Sequence, residues 1–319
     1  MTAEPPRIAM VLAAGRGLRM RPLSDAVPKP ALPLAGDPVV ASAVRLAAAA
    51  GVRRIVVNCW HLADHMRRAI GEVTLPGIDL ELSPERELMG TAGGLALARE
   101  RGLLDDRGPV LVINGDGLLD STLQPMLDRH ASDEDLVTLG LMPHPDPSRW
   151  SRVCLGSGGL VTGILAPGIP RSGERPFVYP GSMVVSRQSL DAIPATPCET
   201  PDRIWWPALA EGRLGGAVVA GDWREIGTPE DYLSAVLHVL GAEKVVDPTA
   251  EVARSARLRA AYVGRHSRIH EDTEITESVV AEGAAVREGA RVVRSVLLGA
   301  VEASVGETII GEMRASPSC

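Results

Sequence analysis

The chain is poor in lysine, aromatic residues and cysteine, and each scarcity narrows what it can be. Only two lysines occur, Lys29 and Lys244, against 31 arginines. An indifferent cation in such a chain is an arginine, so a retained lysine marks a place that wants a compact ammonium and not a planar fork. Aromatics are 3% of the residues while the hydrophobic share is 45%, so the core has to be built from Ala, Val, Leu and Ile. The four cysteines, Cys59, Cys154, Cys198 and Cys319, are scattered, with no CxxC pair and no histidine at ligand spacing. They read as single thiols, neither a disulfide framework nor a zinc site. No apolar run approaches the length of a membrane span, and the N-terminal one meets glycine and arginine too early for a signal peptide. A cytoplasmic protein with no membrane partner is expected. The net charge of −7 argues against a general nucleic-acid surface and leaves the arginines local work.

What is present is organised around the opening stretch. Ile8 to Leu12 is an apolar run that reads as a buried parallel strand. It breaks into Ala13-Ala14-Gly15-Arg16-Gly17, followed by Arg19 and Arg21. A strand that ends in a glycine turn exposes several N–H groups in one concavity, which binds phosphate, and the guanidinium groups add charge beside it. Further on, Val27-Pro28-Lys29-Pro30 holds a lysine between two residues of fixed φ. Residues 38–50 then read as a helix with Gly51 as its C-cap, 54–58 as a strand, 62–70 as a helix and 78–82 as a strand. That rhythm predicts a doubly wound, Rossmann-like α/β sheet whose ligands sit beyond the carboxyl ends of the strands. Asp116 follows the apolar run 110–113 at such an end, where a carboxylate is placed to hold Mg²⁺ between phosphate oxygens.

Residues 12–34, L-A-A-G-x-G-x-R-x-x-P-L-S-x-x-x-P-K-P-x-L-P-L, resemble the nucleotide-binding signature of the sugar-1-phosphate nucleotidyltransferases (NDP-sugar pyrophosphorylases). Leu18 stands where that family usually has Thr or Ser. The resemblance implies that Leu12, Ala13, Ala14, Gly15, Arg16 and Gly17 hold the nucleotide, that Arg19 stabilises the leaving pyrophosphate, and that Lys29 neutralises charge at the reacting phosphates. In the family a glycine-rich segment, here Gly90-Thr91-Ala92-Gly93-Gly94, contacts the base, and the residue five positions before its first glycine helps to read it. That residue is Glu85, and an acceptor-only carboxylate suits the adjacent N–H donors of guanine. Trp223-Arg224-Glu225-Ile226-Gly227-Thr228-Pro229-Glu230-Asp231-Tyr232 resembles the family's W-x-D-I-G-T-P-E-D-Y, so Glu225 is expected to join Asp116 on the metal, one methylene longer than the usual Asp. Thr228 is expected to cap the helix that Pro229 begins. Residues 174–183 resemble two family features at the sugar, which makes Gly181, Glu174 and Arg175 candidates for the sugar phosphate. Arg149-Trp150-Ser151 reads as an altered form of the family's R-Y-G.

From residue 246 a different period takes over. Aliphatics recur as Val246, Val252, Leu258; Val263, Ile269, Ile275; Val280, Val286, Val292; Leu297, Ala303, Ile309, a repeat of 17 residues. A small aliphatic every sixth position marks a left-handed parallel β-helix of hexapeptide type, about four coils long. Such a stack needs a cap, supplied by the preceding domain or a second subunit. The expected organisation is therefore a catalytic domain over 1–243 and a β-helix over 244–319, and the resemblance implies that such a tail serves subunit assembly, here into homo-oligomers. The expected reaction joins an NTP and a sugar 1-phosphate into an NDP-sugar and pyrophosphate, with GTP and mannose 1-phosphate preferred. Uridylyl or thymidylyl transfer to another sugar (glucose, N-acetylmuramate), and a catalytically silent NDP-sugar-binding relative, are the alternatives. Acyl transfer at His266 and His270 is a minor one.

Overall fold

The computed structural model describes residues 5–105, 107–170 and 173–316; Cys319 lies outside the described residues. The opening strand Ile8–Leu12 is the hub of a 10-stranded mixed sheet. It pairs in parallel with Arg54–Cys59 on one side and with Val110–Asn114 on the other, and Asp79–Pro84 extends the sheet in the same sense. Both faces of the three inner strands are buried, which is why they read as apolar runs, whereas the edge strand Asp79–Pro84 is largely half-buried or exposed. Beyond Val110–Asn114 the sheet changes direction. Ser182–Val185 runs antiparallel between it and Val137–Pro143. Phe177–Val178 pairs with the far end of Val137–Pro143, so Tyr179, Pro180 and Gly181 form a bend within one strand line. Helices Val40–Ala49 and Ala63–Glu72 fall within two residues of their expected starts and ends, with Gly51 left-handed (φ 89) just past the first.

The glycine segment Gly90-Thr91-Ala92-Gly93-Gly94 is the first turn of the helix Gly90–Glu100. Its orphan amides are supplied from a distant loop: the Cys198 carbonyl accepts from Ala92 N and Gly93 N at 3.1 Å. A helix terminus with external acceptors tolerates glycines that propensity alone would place outside it.

The C-terminal region is a parallel β-helix. Every pairing is offset by the expected period, from Val246↔Val263 through Val263↔Val280 and Val280↔Leu297 to Leu297↔Arg314. Ala260, Glu277 and Arg294 turn successive corners with φ of 45°, 50° and 47°. The aliphatic positions from Val263 onward form one buried cluster, while Val246 of the first coil is exposed. A second face of the β-helix, carrying Tyr262, Val279, Ala281, Val296 and Leu298, packs on the helix Pro229–Leu240 and on Met20, Leu23, Leu32 and Leu34 of the opening stretch. This seam runs along the side of the stack, over the equivalent positions Tyr262, Val279 and Val296 of successive coils, and not over its ends. Tyr232 sits in that seam with no exposure, and its hydroxyl donates to the Pro33 carbonyl at 2.6 Å.

Tyr232 therefore joins the opening stretch to the β-helix. We expect Tyr232→Ala to lower the unfolding free energy by about 3–5 kcal/mol and Tyr232→Phe by about 1 kcal/mol. Urea unfolding of the full chain checks the ratio; equal losses would mean that the hydrogen bond, and not packing, holds the seam.

Candidate active site

The carboxyl ends of the central parallel strands lie at one level, and the residues just beyond them line a cleft. Three chambers follow one another. The first is bounded by Leu12, Ala14, Gly15, Asn58, Thr91 and Glu199. The second is bounded by Ala13, Arg16, Gly17, Arg19 and Gly227, with Lys29 on its wall. The third, about 330 Å³, carries Arg19, Lys29, Asn114, Glu225 and four of the chain's nine aromatic residues, Trp150, Tyr179, Trp205 and Trp223. Asp116 lines all three. A further cavity against the β-helix, lined by His65, Arg68 and Arg265, shares no residue with them.

Lysine 29, Asp116, Arg19 and Glu225 are brought together. Lys29 Nζ donates to Asp116 Oδ2 at 2.7 Å, with the Lys29 side chain 10% exposed and Asp116 46%. Glu225 arrives by antiparallel pairing: strand Gly221–Glu225 lies along Gly117–Ser121 with Glu225 opposite Gly117, the residue after Asp116. Its carboxylate accepts from Trp150 Nε1 at 2.7 Å, Arg19 at 3.3 Å and Arg149 at 3.4 Å. Arg149 also lies 4.6 Å from the Trp150 ring centre and pairs with Asp231 at 3.2 Å. Two of these cations are substantially exposed, so they orient the acid more than they stabilise the fold. Thr228 caps the next helix as expected, with Asp231 returning bonds to the Thr228 and Gly227 amides.

In the opening loop Gly17 is left-handed (φ 59), and its carbonyl accepts from Ser24 Oγ at 2.8 Å, which pins the turn. Arg16 lies over the Trp60 ring at 5.5 Å, and Leu18 is 55% exposed. Not every expected donor faces the cleft. The Ala13 amide donates to Asn58 Oδ1 at 2.7 Å and is thereby used internally.

Several expected positions take other places. Glu85 is buried behind the first chamber and does not line it: Oε1 accepts from Asn58 Nδ2 at 2.7 Å and Oε2 from the Met89 amide at 3.0 Å. A buried carboxylate must find such donors, and here they are backbone and amide groups of the protein. The link Glu85–Asn58–Ala13 fixes the opening loop to the glycine segment. Ala92 and Gly93 face the Cys198 carbonyl, while Gly90 and Thr91 remain on the chamber wall. Gly181 has φ 104, and a Cβ there would come within 2.8 Å of Asn114 Nδ2. It lets the bend close on Asn114, which lines the cleft in its stead. Glu174 pairs with Arg152 at 2.8 Å, and neither it nor Arg175 lines any chamber. Residues 174–176 resemble the family element in their order, with Arg175 in the lysine's place, but the two features lie closer together than usual and the segment precedes the bend.

Residues the sequence reading passed over are Asn58, Asn114 and Glu199, while Trp150 enters the cleft from the segment that resembles the family's R-Y-G. The two asparagines carried a signal, since each ends a buried parallel strand as Asp116 nearly does. Glu199 carried none: it meets Thr91 across 108 positions.

The amino-acid sequence matches the nucleotidyl transferase family over residues 8–241, and the chain belongs to that family. It is 30% identical over 299 residues to a mannose-1-phosphate guanylyltransferase of Mycobacterium tuberculosis, covering 88% of this chain and 81% of the relative. A mannose-1-phosphate guanyltransferase beta-B of Xenopus laevis is 26% identical over 91% of this chain and 90% of its own. The chain is thus an enzyme of the sugar-1-phosphate nucleotidyltransferase class. No helix among the described residues is long and apolar enough to cross a membrane.

Burial pushes the Glu85 carboxyl above its ordinary value, against the lowering effect of the Met89 and Asn58 donors. The unfolded chain releases this proton at the ordinary pKa, about 4.3, and the folded chain at a higher pH. Between the two the folded state binds more protons, so this group's contribution to stability falls as pH rises and is level above the window. The unfolding free energy of wild type relative to Glu85→Gln should therefore decline from about pH 4 upward and then flatten. Thermal unfolding of both proteins across that range checks the sign; a rising difference would contradict it.

Proposed function

We propose that this enzyme transfers guanylyl from GTP to mannose 1-phosphate, forming GDP-mannose and pyrophosphate. The observation that carries the reading is the meeting of Lys29, Arg19, Asp116 and Glu225 on one cleft beside the glycine turn, in a chain whose relatives carry guanylyltransferase names. The first chamber, between Leu12, Gly15 and Gly90, suits the nucleoside, and the second the triphosphate. The aromatic third suits the sugar. A phosphate oxygen of the sugar phosphate attacks the α-phosphorus of GTP. The bond from that phosphorus to the bridging oxygen breaks, and pyrophosphate leaves with the electron pair. The nucleophile is already ionised at neutral pH, so the chain's task is positioning and charge neutralisation. Lys29 is placed to exchange its Asp116 partner for phosphate oxygens, and Arg19 to follow the departing pyrophosphate.

Asp116 and Glu225 fit a divalent metal by the chemistry of their donors. Two carboxylates, one in the turn before Gly117 and one on the strand facing Gly117, with no third His, Cys, Asp or Glu grouped with them among the described residues, leave positions that substrate phosphates and water fill, which is the habit of Mg²⁺. Magnesium bound there supplies further neutralisation of phosphate charge. Trp150, Arg19 and Arg149 set the Glu225 carboxylate. The reading also takes 1–243 as the catalytic domain and 244–319 as the β-helix. It places the protein in the cytoplasm as a homo-oligomer joined through the last coil, where Val305 and Ile310 are 73% and 62% exposed.

Lys29→Ala should lower turnover by about two to four orders of magnitude with an unchanged melting temperature. Pyrophosphate release is the assay, run with GTP, UTP, dTTP, CTP and ATP against mannose, glucose and N-acetylmuramate 1-phosphates. Near-normal turnover in the variant would remove Lys29 from the reaction, and a preference for UTP or dTTP would reassign the substrates.

A further inference from the structure

If Glu85 is sealed behind the first chamber, another group has to read the base. Glu199 lines that chamber, and beside it the only other carboxylate there is Asp116, which Lys29 engages. The Glu199 side chain is held by one oxygen: Oε2 accepts from the Thr91 amide at 3.2 Å and from the Thr91 hydroxyl at 2.8 Å. Thr91 Oγ1 in turn accepts from the Thr200 amide at 2.8 Å, so the two segments lock each other. Oε1 has no hydrogen-bond partner among the described residues. It lies over Gly90, where a Cβ would come within 2.7 Å of it. The missing side chain at Gly90 therefore makes the room that Oε1 occupies, at the wall of a chamber and with its acceptor capacity unspent.

We propose that Glu199 is the residue that selects the base, Oε1 accepting from the Watson–Crick edge of guanine; the inference rests on the nucleotidyl-transfer reading above. An ionised carboxylate can only accept. Guanine offers two adjacent donors, N1–H and the exocyclic N2–H. Uracil and thymine offer one N–H between two carbonyls, which repel the acid, and adenine and cytosine present a ring nitrogen acceptor. Anchoring Oε2 on Thr91 removes rotamer freedom before the ligand arrives, so little ordering is left for binding. A cap on the helix Gly90–Glu100 would need only Oε2. The second oxygen, beside Gly90 on the chamber wall, is the one left to meet a base donor, and the binding test below separates a reader from a cap.

The test is calorimetric binding of GTP, ITP, UTP and 2′-deoxy-GTP to the full chain and to Glu199→Gln, with a melting curve for each. ITP lacks the N2 amino group, so it isolates one of the two donors. The glutamine oxygen still accepts from Thr91, so the melting temperature should hold. Wild type should prefer GTP to ITP, and Glu199→Gln should reduce that preference about tenfold while leaving UTP binding unchanged. An unaltered GTP-to-ITP ratio would overturn the proposal. So would equal losses for GTP, ITP and UTP with none for 2′-deoxy-GTP, which would put the carboxylate on the ribose. A fallen melting temperature with uniform weakening would leave Glu199 a cap and nothing more. Wild type that binds no nucleotide would sink the functional reading itself, whereas nucleotide bound without base preference would sink only this inference.

Discussion

The register of three parallel strands decides everything at the cleft. Leu12 pairs with Asn114, and Val11 with Val57, so the strands Ile8–Leu12, Arg54–Cys59 and Val110–Asn114 end together. A slip of one residue would turn each buried side chain to the opposite face of the sheet. Because both faces are packed, the register is over-determined, and with it the positions of Ala13, Asn58, Asn114 and Asp116. The site is thus set by the most rigid part of the molecule, although most of its residues lie outside regular strands.

Rigidity is passed on from that edge through polar contacts of very different weight. Asn58 bonds the Ala13 amide and the Glu85 carboxylate in a buried place, where an unmade bond is costly. The Arg19–Glu225 contact is open to water and salt, and it orients without bracing. The helix Pro229–Leu240 works by packing: Asp231 at its start holds the Gly227 amide, while Tyr232 and Val236 are buried against the β-helix. Side chains in the catalytic cleft and the C-terminal coils therefore share one seam, and the β-helix bears on the loop that carries Arg19 and Lys29.

Much of this was legible in the sequence because it is periodic or local. Buried strands read as apolar runs, the 17-residue repeat translated directly into strand pairing, and Pro28-Lys29-Pro30 announced a fixed lysine. Long-range contacts were not legible. Glu85 and Glu199 are both acids beside a glycine segment, and nothing in their neighbourhoods says which is buried. The answer depends on Asn58 in one case and on Thr91 in the other, 27 and 108 positions away. Glu174 and Arg175 show the limit of local order as a guide to place, since neither lines a chamber of the cleft. Their order resembled a family element, yet the ion pair with Arg152 draws Glu174 away from the cleft.

The cleft also solves an electrostatic problem that composition poses. A chain with net charge −7 must receive a polyanion and hold two acids within the same space. The two acids at the phosphate end are each matched by a cation already in place, Lys29 on Asp116 and Arg19 with Arg149 on Glu225. When phosphates enter under the proposed reading, they take over these cations, and each carboxylate is released as its partner moves. The exchange replaces one set of ion pairs with another at short range, which spares the cost of stripping bare charges from water. A lysine suits this role better than an arginine. Its ammonium has no planar fork to realign and can turn from carboxylate to phosphate about a single flexible stem, which accounts for one of the only two lysines in the chain lying here.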